Sequence, residues 1–268
     1  MELIDTHCHL TFEPLAGDAE AVVQRSRDAG VSGWITVGTD PANNRKAVEL
    51  AGRFENMYAA VGIHPHEAKN VTGEAIAELK DLARNDKVVA LGETGLDFHY
   101  DLSPRLDQRR AFAAQLDIAR QANLPVIIHS REAFGETIDV LEQFINMNGR
   151  LRGVVFHCFS GSAEQARIVL DHGFYVSFTG VVTFKNAEKT RDAAAAVPLD
   201  RLVLETDSPY LSPEPMRKQK TNEPALMIHT ARFLAELKHM PLPDFAQAIT
   251  ATSRSFFNLP AIRAAGLP

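Results

Sequence analysis

Histidines follow short apolar runs of this chain at spacings that suit a metal ion. His7 and His9 lie two residues apart at the end of the first apolar run. Residues two apart in an extended strand face the same side, so both imidazoles can reach one ion while Cys8 faces the other way. An H-x-H pair is common by chance, and its position at a strand end is what makes it informative.

Similar residues end four later apolar runs. Glu93 follows the fourth run, His129 the fifth, His157 the sixth and Asp207 the eighth. A single His or Asp at such a place is usually a turn residue or a helix cap. In a barrel, however, the carboxyl ends of all strands meet on one face, where active sites are built. The predicted metal ligands are therefore His7, His9, Glu93, His129, His157 and Asp207.

Six ligands exceed the four that one tetrahedral ion needs and fit two divalent ions. Two ions about 3.5–4 Å apart can hold the attacking and leaving oxygens of a displacement reaction. Glu93 is predicted to bridge them. The remaining ligands form one set of three and one set of two: His7, His9 and Asp207, and His129 with His157. Histidine ligands favour ions such as Zn or Mn.

Eight short, often β-branched apolar runs alternate with amphipathic stretches along the chain. Runs that are apolar throughout are typical of parallel strands buried on both faces, and the alternation predicts βαβ units. The predicted strands are 3–5, 33–37, 57–61, 88–91, 125–128, 153–156, 175–178 and 202–204. The predicted helices are 18–29, 73–84, 103–122, 131–147, 162–172 and 241–258.

The element pattern alone is compatible with a (β/α)8 TIM barrel and with a doubly wound open sheet. The length of 268 residues suits eight units in one domain spanning residues 1–268, with 241–258 as a C-terminal helical extension. The segment 208–224 directly follows the last strand and contains four prolines. It is predicted to be the longest loop.

The composition excludes several classes of protein. Hydrophobic residues make up 45% and charged residues 23%, and the two cysteines do not indicate a disulfide framework. The net charge of −6 argues against a protein that coats duplex DNA, but not against an enzyme that grips a few phosphates through metal ions. With no membrane-span or signal-peptide pattern, we expect a cytoplasmic protein without membrane contact or an obligate protein partner.

Seven short sequence blocks follow one another along the chain in an order and at spacings that are specific to one protein family. They are DTHCHL (5–10), GIHPH (62–66), LGETGLD (91–97), HSR (129–131), HCFSG (157–161), TFKNA (183–187) and LETDSPYL (204–211). In these blocks the chain resembles the TatD family of metal-dependent deoxyribonucleases within the amidohydrolase-like barrels, and the resemblance runs from about Ile4 to the C-terminal helix. The resemblance implies the barrel, the same ligand set, activity with Mg or Mn, and a DNA end or single strand as substrate.

One loop departs from that family's pattern. After the eighth strand the family often has Arg-Gly-Lys, a spacer, then Asn and Pro, whereas residues 217–224 read RKQKTNEP. The glycine is missing and the stretch is one residue longer, so the loop backbone is expected to differ. Arg217 and Lys220 are the residues of this loop that we expect to contact substrate.

The predicted reaction is phosphodiester hydrolysis by a water that the ions acidify. Asp207 would orient this water and take its proton while touching a metal. His64 would bind a phosphate oxygen or protonate the leaving group, or instead hydrogen-bond a ligand. Arg131 suits phosphate because a guanidinium matches phosphate geometry, the alternative being a salt bridge that holds a loop.

Two other functions stay open at this point. One is hydrolysis of another small phosphodiester, an ester or an amide, including an aminoacyl-tRNA ester, because the same ions serve several electrophiles. Some related barrels bridge two metals with a modified lysine at the end of the fourth strand, where this chain has Glu93. The other function is non-catalytic binding of metal or nucleic acid, which the intact ligand set disfavours.

Overall fold

Strands and helices alternate throughout the part of the chain that the computed structural model describes, residues 2–260. Eight strands form one sheet in the order β1 to β8, and β8 lies beside β1 through the hydrogen bond from Thr6 Oγ1 to the Leu204 carbonyl (3.0 Å). This is the predicted (β/α)8 barrel. The strands are β1 (Leu3–Cys8), β2 (Val31–Val37), β3 (Met57–Val61), β4 (Val88–Asp97), β5 (Val126–Arg131), β6 (Val154–Phe156), β7 (Tyr175–Phe178) and β8 (Leu202–Leu204).

Nine α-helices lie within residues 2–260, and three of them, α2, α7 and α8, are absent from the sequence-based prediction. None is long and apolar enough to cross a membrane. The helices are α1 (Ala19–Asp28), α2 (Pro41–Arg53), α3 (Gly73–Leu82), α4 (Arg105–Ala122), α5 (Phe134–Asn148), α6 (Ala163–Asp171), α7 (Glu188–Ala196), α8 (Met227–Leu237) and α9 (Leu242–Phe257).

Contacts group the chain into two compact units. The first falls within 1–36, 54–57 and 158–268, and the second within 37–53 and 58–157. The first includes β1, β7, β8, α1 and α6 to α9, and the second includes β4 to β6 and α2 to α5. The expectation of one domain over residues 1–268 stays a prediction, and Met1 and residues 261–268 lie outside the described part.

In the first unit, α9 packs against β1 and β8. Phe245, Ile249 and Phe256 recur at helical spacing and are buried, which removes one apolar face of the helix from water. At the start of β1, the Glu2 carbonyl accepts a hydrogen bond from Thr250 Oγ1 (2.7 Å). The C-terminal helical extension therefore supports the strand that ends in the H-x-H pair.

In the second unit, two buried glutamines of α4 bind backbone groups at the ends of β3 and β4, near the predicted site. Gln115 Oε1 accepts the Ile63 N–H (2.7 Å), and its Nε2 donates to the Ile63 carbonyl (3.0 Å) and Thr94 Oγ1 (2.7 Å). Gln108 Oε1 accepts the Asp97 N–H (2.9 Å), and its Nε2 donates to the Asp97 carbonyl (3.1 Å). Buried polar groups are stable only when they are paired, so each glutamine fixes the backbone that it binds in one position.

Replacing Gln115 with leucine should therefore lower the free energy of unfolding by about 3 kcal/mol, because the two backbone groups of Ile63 and the Thr94 hydroxyl lose buried partners. Urea-induced unfolding followed by circular dichroism measures this change. Gln121→Leu, on an exposed position of the same helix, is the matched control and should stay within about 0.5 kcal/mol of wild type. Equal stability of the two variants would contradict the role given to Gln115.

Candidate metal-binding clusters

The end of β1 and the segment after β8 bring three predicted ligands together in the first unit; we call His7, His9 and Asp207 the first cluster. His7 Nε2 lies 3.2 Å from His9 Nε2, and Asp207 Oδ1 lies 3.7 Å and 3.5 Å from these two nitrogens. The His9 ring stacks on Phe12 with centroids 4.7 Å apart. Both histidines are buried, whereas the Asp207 side chain keeps 14% of its surface exposed.

The backbone around the first cluster is held by a buried carboxylate. Asp5 accepts hydrogen bonds from Thr206 Oγ1 (2.6 Å), the Thr206 N–H (3.0 Å) and the His7 N–H (3.3 Å). Burial raises the pKa of Asp5 to about 7, against the lowering effect of those hydrogen bonds. Asp207, next along the chain, has a φ of 54°, which Asp tolerates better than most residues, and its N–H donates to the His7 carbonyl (2.9 Å).

Four further candidate ligands converge in the second unit; we call His64, Glu93, His129 and His157 the second cluster. Glu93 Oε1 lies 2.6 Å from His129 Nδ1, 2.7 Å from His157 Nε2 and 3.6 Å from His64 Nε2. The nitrogens of His157 and His129 are 3.4 Å apart. His64, expected at the mouth of the site without a necessary place among the ligands, thus lies within reach of the same ion as Glu93 and His129.

Glycines allow close backbone contacts between the segments that carry the second cluster. Gly95 has a φ of 141°, a conformation that side chains rarely adopt, and a Cβ there would collide with the His129 carbonyl oxygen. A Cβ on Gly62 would lie 2.6 Å from the Gly92 carbonyl carbon, beside Glu93. The segment after β3 can therefore approach β4, and β4 can approach β5, only because Gly62 and Gly95 have no side chain.

The charge state of the second cluster follows from its burial and its partners. Burial by itself would raise the pKa of the Glu93 carboxyl, but the charges of His157 and His64 and the hydrogen bonds from His129 and His157 hold it well below its ordinary value. Burial lowers the pKa of His64 to about 4. Burial also opposes protonation of His129, yet its hydrogen bonds to Asp97 and Glu93 raise its pKa.

The spacing of the donor atoms fits divalent ions. Two ligands of one tetrahedral ion with bonds of about 2.1 Å lie about 3.4 Å apart. The three separations in the first cluster are 3.2, 3.7 and 3.5 Å, close to that value. In the second cluster the 3.6 Å between Glu93 and His64 also fits, whereas the 2.6 Å between Glu93 and His129 is a hydrogen-bond length. Imidazole and carboxylate donors of this kind are those that Zn and Mn accept.

Sequence reasoning missed Asp97, which binds the ring nitrogen of His129 on the side away from Glu93. Asp97 Oδ2 lies 3.1 Å from His129 Nε2 and 3.0 Å from His66 Nε2, and its carboxylate is buried. Burial raises the pKa of Asp97, but hydrogen bonds from His129, the Tyr100 N–H and His66 outweigh it and leave the pKa below its ordinary value. An ionised Asp97 accepts the proton on His129 Nε2, so Nδ1 is the nitrogen that would bind an ion beside Glu93.

Replacing Asp97 with asparagine should weaken divalent-ion binding by about 10- to 100-fold, because the amide can donate to His129 Nε2 and move the ring proton to Nδ1. Competition with a fluorescent chelator measures the change in affinity. Asp86→Asn, at an exposed position before β4, is the matched control and should bind metal as wild type does. Unchanged affinity in Asp97→Asn would remove Asp97 from the site.

A second missed carboxylate, Glu205, directly follows β8. It is buried, and its Oε1 accepts the Cys158 N–H at 2.6 Å. Cys158 has a φ of 44°, so this contact holds the backbone in a conformation that few residues adopt. The only signal in the sequence is a Glu among strand-end residues, which does not separate a ligand from a residue that holds a loop.

The three predicted substrate-binding cations are exposed to solvent. The Arg131 guanidinium lies 4.7 Å above the ring of Tyr100, and that of Arg217 lies 4.1 Å above the ring of Phe184. Lys220 is exposed in the predicted loop. These positions are accessible to an anionic substrate, and their role stays a prediction.

Comparison with known proteins places the chain among metal-dependent hydrolases. A family model described as TatD related DNase matches residues 4–258. The uncharacterized metal-dependent hydrolase YabD of Bacillus subtilis is 40% identical over 96% of this chain and 99% of its own length. The 3'-5' ssDNA/RNA exonuclease TatD of Erwinia tasmaniensis is 34% identical over 96% of this chain and 100% of its own length. A crystal structure of the TatD homologue YJJV from Escherichia coli K12, 34% identical, superposes with a TM-score of 0.90 over 96% of this chain and 98% of that one.

Proposed function

Since this chain belongs to the TatD family of metal-dependent hydrolases, we propose that it cleaves phosphodiester bonds at the end of a single nucleic-acid strand, most readily DNA. The observation that supports this best is the pair of His and carboxylate clusters at strand ends. We propose that each cluster binds one divalent ion, drawn from Mg, Mn and Zn. When bound, such ions acidify water and neutralise negative charge on a phosphate.

The chain's own groups supply the proton transfers. The carboxylate of Asp207 lies near His7 and His9, and 14% of the Asp207 side-chain surface is exposed to solvent. It can therefore orient a water and accept its proton. Because its pKa is lowered to about 4, His64 is neutral near pH 7 and is a poor proton donor to a leaving group. We therefore assign His64 to holding an ion or a phosphate oxygen.

A nucleic-acid strand is the favoured substrate on three grounds. A relative 34% identical over nearly the whole chain is named a 3'-5' ssDNA/RNA exonuclease. Arg131, Arg217 and Lys220 are exposed cations with which we propose the enzyme contacts the phosphates of the strand. The net charge of −6 fits local contacts of this kind better than a broad basic face.

The decisive experiment incubates metal-stripped protein with single-stranded oligonucleotides labelled at either end and restores Mg, Mn or Zn one at a time. We expect stepwise release of mononucleotides that requires a divalent ion, with the label that is lost first giving the polarity. An oligonucleotide that stays intact with every ion would contradict the nuclease proposal. Hydrolysis of bis(p-nitrophenyl) phosphate or an aminoacyl ester by the same samples would then point to a small substrate.

A further inference from the structure

An exposed aromatic side chain lies next to the second cluster. Tyr100 is 54% exposed. Its ring contacts His66 at a centroid distance of 5.5 Å, and His66 contacts His64 at 4.3 Å. Two ring contacts thus connect Tyr100 to a member of the cluster.

The same carboxylate that holds His129 also fixes the position of Tyr100. Asp97 Oδ1 accepts the Tyr100 N–H (2.8 Å) and the His99 N–H (3.0 Å), while Asp97 Oδ2 contacts His129 and His66. A turn anchored in this way keeps the ring at a set distance from the ligand. The position of Tyr100 is therefore tied to the chemistry, unlike that of an incidental surface aromatic.

A cation supports the ring from one side. The guanidinium carbon of Arg131 lies 4.7 Å from the Tyr100 centroid, within cation–π range. In the part of the chain that the structure describes, no carboxylate pairs with this guanidinium. Its outward N–H groups are therefore available to an anionic ligand beside the ring, such as a phosphate.

We propose that Tyr100 and Arg131 form a stacking platform for the nucleobase nearest the cleaved linkage, with the base on the ring and the adjoining phosphate on the guanidinium. The proposal rests on the proposed function and adds a requirement to it: the terminal base must be unpaired so that its face is available. Stacking on an aromatic ring tolerates every base, so the platform gives a preference for frayed or single-stranded ends without a sequence preference.

The test measures binding and turnover on the same strand end. For binding, the metal-loaded enzyme is titrated into an oligonucleotide whose terminal base is 2-aminopurine, and the fluorescence is measured. The last linkage of this oligonucleotide is a non-hydrolysable methylenephosphonate. Stacking should quench the fluorescence in wild type and in Tyr100→Phe, and Tyr100→Ala should remove the quench and weaken binding about tenfold. In turnover, Tyr100→Ala should raise KM about tenfold and change kcat little.

Binding to a strand that ends in an abasic residue distinguishes loss of base stacking from a general effect of the substitution on the fold. Wild type should bind the abasic end about tenfold less well, and Tyr100→Ala should lose nothing further on it. Equal losses for Tyr100→Ala on normal and abasic ends would overturn the platform, as would wild-type quenching in that variant. If wild type itself cleaves and binds no strand, the nuclease proposal fails, which is a different result from a cleaving enzyme that is indifferent to Tyr100.

Discussion

Replacing Asp207 with asparagine should lower kcat on an oligonucleotide by about 10²- to 10⁴-fold at saturating metal. The Asp207 carboxylate lies within 3.7 Å of His7 Nε2 and 3.5 Å of His9 Nε2, and part of it is open to solvent. The amide keeps one oxygen for an ion but accepts no proton from water, and loss of a general base costs about 10²- to 10⁴-fold. Single-turnover rates under excess enzyme measure the chemical step without product release.

The matched control for this effect is Asp192→Asn, an exposed acid in α7 of the same unit, which should keep wild-type turnover. Metal content has to be measured beside the rates, because Asp207 is also a candidate ligand. A variant that retains more than a tenth of the wild-type rate with full metal content would show that another group takes the proton. A pure binding protein would keep its affinity for the strand in this variant and show no turnover in wild type.

The convergence of the ligands is largely readable from the sequence. The period of two along a strand places His7 and His9 on one side, and the structure brings their Nε2 atoms to 3.2 Å. Strands β3, β7 and β8 have the predicted bounds: β7 and β8 end directly before the polar Thr179 and Glu205, and β3 ends before Gly62. The ends of β1 and β4 extend beyond prediction because Thr6 and Asp97 are polar yet buried, a pattern that resembles a loop.

The groups that hold the ligands could not be predicted in the same way. Asp97 faces His129 from 32 positions away in the sequence, and Gln115 binds Ile63 from 52 positions away. Neither contact leaves a local period, and an Asp after a strand or a Gln in a helix is ordinary by itself. The helices α2, α7 and α8 were also missed. Few apolar side chains of α2 and α7 are larger than alanine, whereas Met227, Ala231 and Leu234 of α8 do recur at helical spacing.

Replacing Glu93 with glutamine should remove the ion of the second cluster and lower kcat/KM at least a thousandfold. Glu93 is 3% exposed, and one of its oxygens lies within 3.6 Å of nitrogens on His64, His129 and His157. Glutamine keeps the size of the side chain but supplies no negative charge, so the ion would meet neutral donors alone. Metal analysis after gel filtration should then find one ion per chain, where we expect two in wild type.

The exposed Glu49 of α2, in the same unit, gives the matched control, and Glu49→Gln should keep both ions and wild-type activity. Adding excess Mn to Glu93→Gln separates two roles for the carboxylate. Recovery of activity at high Mn is the expected result, because it would show that the loss follows from the missing ion. Persistent loss with the ion restored would contradict it and would mean that the charge of Glu93 is needed in the reaction itself.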